Sequence, residues 1–141
     1  MFKIGSQRLT WIAVKWQGLH DDGSPAENEI QCRVELVDLD ELRDQIAVER
    51  ASGQVGEMHD SLPFGLRCTK DWKEVGDADG NPLAYSTDKF EQLWNSPGFA
   101  GAWGNAYLAA WNGQSGIREK NFEASPADGQ AAGATKRKRA R

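Results

Sequence analysis

Histidine and cysteine are scarce in this chain, and their scarcity removes most metal and redox chemistry. The two histidines are His20 and His59, and neither falls in a metal-ligand spacing such as HExxH. The two cysteines, Cys32 and Cys68, have no CxxC or CxxH context. Disulfide scaffolds of small size usually carry four or more, so both read as reduced, buried core thiols. No G-x-S-x-G elbow, Walker loop or GxGxxG turn occurs. The run Asp77-Ala78-Asp79-Gly80-Asn81 has a calcium-like look. Its glycine comes too early for an EF-hand, and Asp88 stands where the bidentate glutamate would be, so it reads as a turn. His20 beside Asp21 and Asp22 reads as a polar hairpin tip. No apolar run approaches the roughly 18–20 residues of a membrane span. The start, Met1-Phe2-Lys3-Ile4-Gly5, has no apolar core of a signal peptide. These absences predict an intracellular binding protein, not an enzyme, with no catalytic, cofactor or metal residues.

Charge is present but unevenly spread. The last six residues carry five positive charges, while residues 1–135 hold 12 basic and 21 acidic groups. An acidic body repels a phosphate backbone, whereas the basic end resembles a nuclear-localisation or nucleic-acid patch. Residues 123–141 are rich in Ala, Gly, Ser, Pro and Lys/Arg and bury too little to offset ordering entropy. The predicted organisation is one α+β domain over 1–122 and a disordered tail over 123–141.

Within the domain the hydrophobic period changes once. Residues 9–16 are rich in β-branched and aromatic residues, with Ile12, Val14 and Trp16 on one face. Residues 29–36 alternate, with Ile30, Cys32, Val34 and Leu36 on one side. They predict an antiparallel hairpin over about 8–37 with a long polar tip from Gly18 to Glu27. After Asp38 the period becomes helical. Asp38 and Glu41 suggest a capping box before Leu39, Leu42 and Ile46, with Gly53 as a stop and a linker over 54–61. Phe64, Cys68, Trp72 and Val75 suggest a second helix, with Pro63 in its first turn. Ser86 caps a third, carrying Phe90, Leu93 and Trp94. Ser96-Pro97 opens a fourth, carrying Phe99, Trp103, Tyr107 and Trp111. The fold expected is a two-stranded hairpin packed on three to four short helices.

Six tryptophans lie at 11, 16, 72, 94, 103 and 111. At helical spacing such rings are commonly core, yet one short domain cannot easily surround them all. Large aromatics also anchor interfaces. Trp94, Trp103, Tyr107 and Trp111 are therefore the candidate partner-binding residues. If they prove to be core, the surface to examine is the hairpin around Trp11 and Trp16.

The run from Asp71 to Ser86, with Trp72-x-x-Val75, the Asp77-x-Asp79-Gly80-x-Pro82 turn and Tyr85-Ser86 opening a helix, resembles tail assembly chaperones of long-tailed bacteriophages. Leu93-Trp94-Asn95-Ser96-Pro97, the alanine-rich Ala106-Tyr107-Leu108-Ala109-Ala110 and Arg118-Glu119-Lys120-Asn121 continue the pattern. The resemblance spans roughly residues 9–122 and is firm over 71–121. The long tip and basic end depart from it. It implies a holdase of the host cytoplasm that binds the helical tape measure protein and keeps it soluble until tail-tube subunits polymerise. Contact with those subunits and self-association are left open, as is a frameshifted longer product. The competing reading is a small phage or bacterial regulator that binds nucleic acid through the basic tail.

Overall fold

A computed structural model describes residues 1–52 and 61–117. It shows α+β architecture: a long antiparallel hairpin, a third strand and four helices. Strand β1 (Leu9–Leu19) pairs with β2 (Pro25–Glu35) in continuous register, from Leu9 opposite Glu35 to Leu19 opposite Pro25. The strands thus consume half of the segment expected to be a loop, leaving His20–Ser24 as the tip. There the His20 N–H donates to the Ser24 carbonyl (2.8 Å), and Asp22 Oδ1 accepts from the Ser24 N–H (2.9 Å) and hydroxyl (2.6 Å). That Asx turn lets polar strand ends pair without an apolar pattern to announce them.

Helix α1 (Leu39–Ser52) begins as the sequence suggests, with Asp38 Oδ1 accepting from the Glu41 N–H at 3.1 Å. Its predicted stop, Gly53, and nearly all of the 54–61 linker lie outside the described residues. Helix α2 (Leu62–Cys68) is short, and the expected continuation through Trp72 and Val75 is replaced by strand β3 (Thr69–Lys73). The spacing of Phe64, Cys68 and Trp72 fits a helix, but the open edge of β2 offers hydrogen bonds that a helix there would leave unmade. β3 takes them, with Trp72 opposite Cys32, making a three-stranded sheet of order β1-β2-β3. Glu74, at φ 68°, ends the strand. The Asp77 carboxylate then closes the turn by accepting from the Asp79 (2.9 Å) and Asn81 (3.0 Å) N–H groups.

Helix α3 (Thr87–Trp94) is capped by Ser86, whose hydroxyl accepts from the Lys89 N–H. Helix α4 (Phe99–Trp111) starts later than Ser96-Pro97 suggests. Those residues form the corner between the helices, and Gly98, at φ +86°, is the N-cap. A left-handed residue turns the chain here at low cost only if it is glycine.

The core lies between one face of the sheet and the helices. Ile12, Val14, Ile30, Cys32 and Val34 face Phe64, Phe90, Phe99 and Trp103. Gly65 lets α2 approach the ring of Trp94, since a β-carbon there would lie 2.6 Å from Trp94 Cζ3. Cys32 and Cys68 are both free and buried. Among the described residues no helix is long and apolar enough to cross a membrane. The predicted domain boundary at 122 and the tail lie outside the described residues.

Candidate docking site

The structure brings three of the four candidate aromatics, Trp94, Trp103 and Tyr107, together inside the protein. Trp103 is 0 % exposed, Tyr107 1 % and Trp94 4 %. Trp103 stacks on Tyr107 with centroids 5.0 Å apart, and Trp94 meets Trp103 edge-on at 5.4 Å. The Tyr107 hydroxyl accepts from the Val37 N–H (2.9 Å) and donates to the Glu35 carbonyl (2.8 Å). Trp111 is half-buried and donates its indole N–H to the Val37 carbonyl at 2.8 Å. For Trp94, Trp103 and Tyr107 the expectation that they present a face to a client is therefore corrected, whereas Trp111 is only partly covered. A sheet face of Ile, Val and Cys leaves a wide gap beneath one layer of helices, and large rings are what fill it.

An unfilled apolar surface lies at the other end of the hairpin. Eleven residues of strand span about 36 Å, whereas the thirteen of α4 span about 20 Å, so the hairpin overhangs. Under the overhang is a cleft of about 800 Å³ whose apolar lining is Trp16, Leu19, Pro25, Leu93 and Pro97. Trp16 packs edge-on against Phe99 at 5.1 Å and is only half-buried. Leu19 is 75 % exposed. Gly98 fits closely beneath, since a β-carbon there would stand 3.3 Å from Trp16 Cδ1. Trp11 takes no part: its ring lies beneath the Lys73 ammonium, 4.0 Å from the centroid, and it occupies the opposite strand alternation from Trp16.

The hairpin end beyond the cleft is acidic, with Glu27 and Glu29 paired opposite Gln17 and Lys15 and so on the sheet face away from Trp16. Asp21, Asp22, Glu27 and Glu29 lie on the hairpin end, and no lysine or arginine occurs between Trp16 and Cys32. The Ser24 hydroxyl and N–H hold the Asp22 carboxyl below its usual range. The sequence offered Trp16 as a strand residue. Leu19, Pro25 and Pro97 were hidden because each was read as part of a loop or a helix start.

Burial pushes the Cys32 thiol up to about 12 and Cys68 up to about 11, so both stay protonated at neutral pH. Among the described residues no group of three or more His, Cys, Asp or Glu is placed to hold a metal ion.

No family model, curated protein or solved structure matches this chain significantly. The cleft thus carries the functional reading, together with the residue pattern of 71–121.

Proposed function

We propose that this protein is a tail assembly chaperone of a long-tailed bacteriophage, acting in the host cytoplasm. It binds an amphipathic helical stretch of the tape measure protein and keeps it soluble until tail-tube subunits polymerise around it. It works by occupancy, without catalysis, nucleotide or metal. The observation that carries this reading is the exposed apolar cleft at the hairpin tip, beside a core already filled by its own rings. An amphipathic helix buries its apolar stripe in such a groove, and the acidic excess of residues 1–135 keeps the complex soluble.

Co-expression with tape measure fragments tests the reading. Wild-type protein should raise the soluble fraction of a fragment that precipitates alone. Leu19→Glu combined with Pro97→Glu, both at exposed positions of the cleft, should abolish that effect while the melting temperature stays nearly constant. If no tape measure fragment is solubilised, the chaperone reading fails. If the double variant still solubilises the fragment, the cleft is not the site.

A further inference from the structure

The outer edge of β1 has its own pattern of used and unused hydrogen-bonding groups. Arg8 accepts from Leu36 on the β2 side, and the Ala13 N–H turns outward, donating to the Ser115 carbonyl at 2.9 Å. In an antiparallel strand the direction alternates, so the main-chain groups of Lys15, Gln17 and Leu19 also point outward. Among the described residues no backbone group pairs with these three on that side. Beside them runs a groove of about 480 Å³ between β1 and α4, lined by small residues such as Gly98, Ala102 and Ala106. Gly98 lies beside this rung, since a β-carbon there would stand 3.7 Å from the Gln17 carbonyl oxygen, an ordinary van der Waals contact.

We propose that this edge pairs with the same edge of a second copy, antiparallel about a two-fold axis at Gln17, to give one six-stranded sheet. This does not rest on the chaperone reading.

The register follows from the edge itself. Ser115 occupies the rung at Ala13, β1 ends at Leu19, and Gln17 is the midpoint of what remains. A two-fold there sets Gln17 against Gln17, Lys15 against Leu19 and Trp16 against Gly18. About six main-chain hydrogen bonds form across it. The pairing is self-complementary. The Trp16 ring meets a position with no side chain, and the exposed Leu19 is covered by the aliphatic stem of Lys15. The Lys15 ammonium lies diagonally beside Asp21 of the second copy, within reach of a charge pair. Centring on Lys15 would instead oppose two ammonium groups and displace Ser115. An edge whose outward main-chain groups are unpaired among the described residues, as here from Lys15 to Leu19, is also a feature that proteins ordinarily cover or pair.

Two measurements on the full-length protein test this. Sedimentation velocity from about 1 to 100 µM should show wild-type dimers, with a dissociation constant raised at least about tenfold in Gln17→Pro. Proline there removes an outward N–H only, which an edge strand tolerates. Oxidation of Gln17→Cys should give a disulfide-linked dimer, because residues facing each other on the axis have Cα atoms about 5.5 Å apart. Lys15→Cys should not cross-link to itself, since this register separates the two copies of position 15 by about 14 Å along the strands. The native thiols are buried and protonated, so they do not compete. A monomeric wild type, an unchanged constant in Gln17→Pro, or equal cross-linking at positions 15 and 17 would each overturn the proposal.

Discussion

Trp111 and Tyr107 at the base of the hairpin, and Trp16 near its tip, belong to the same class of side chain, yet Tyr107 is 1 % exposed while Trp16, like Trp111, is only half-buried. At the base, both polar handles reach the backbone of residues 35–37, and the rings close over the sheet. At the tip, Trp16 rests one edge on Phe99, while Leu19, Pro25 and Pro97 near it stay open. The difference is one of length. The helices cover the sheet from the base as far as Gly98 and then stop. A ring becomes core or surface according to whether an element is long enough to lie above it, and spacing within its own helix carries no information about that.

The sharpest way to break this comparison is to remove a ring from the closed end. Trp103→Ala should cost about 3–5 kcal/mol of stability in chemical denaturation. A loss of client binding with unchanged stability would instead return Trp103 to the surface. Next in size, Tyr107→Phe removes the hydroxyl between Glu35 and Val37 and leaves the Val37 N–H unpaired. It should cost about 1–3 kcal/mol, with little change in the shape of the unfolding transition.

A smaller effect separates the ends by pH. Arg67 lies 3.0 Å from Glu35 and 3.2 Å from Glu41 near the base. Its hydrogen bonds, with one from Gln7, hold the Glu35 carboxyl down to about 2 from an ordinary 4.5. The depressed value means that the unfolded chain takes up the proton first. This contribution is therefore complete above about pH 4.5 and is lost as pH falls toward 2. Acid titration of the melting temperature should show a shallower decline in Glu35→Gln, and the difference should be modest because the pair is partly solvated. Smallest of all, Leu19→Ser at the open end should change stability by less than about 0.5 kcal/mol. Solubilisation of a client should nonetheless fall. If Leu19→Ser destabilises the protein as Tyr107→Phe does, the tip is part of the core and the contrast disappears.

Much of the fold was legible because local chemistry and tertiary context agreed. Asp38, Ser86 and the Asp77 turn announce themselves through their own backbone partners. The alternation of Ile30, Cys32 and Val34 reports a half-covered strand. β3 was not legible, because what makes Thr69–Lys73 a strand is the neighbouring edge of β2, about forty residues back in the chain. The outer end of the hairpin, residues 17–19 and 25–28, was missed for a related reason: strand ends beyond the helices lack a clear apolar alternation. The site suffered most. Trp94, Trp103 and Tyr107 were rightly grouped, since they lie together, but whether they face inward depends on a sheet that their own segment does not describe.

The aromatic distribution also divides the molecule optically. Trp94 and Trp103 are in van der Waals contact inside a rigid, chiral cluster, which favours an intense near-ultraviolet circular dichroism band. The half-buried Trp16 is the ring that an aqueous quencher such as iodide reaches at the tip. In a Trp11→Phe, Trp111→Phe background, which removes the other two partly exposed indoles, fluorescence quenching reads the tip while dichroism reads the base. Protection of one signal at constant value of the other would then locate an occupant at the tip.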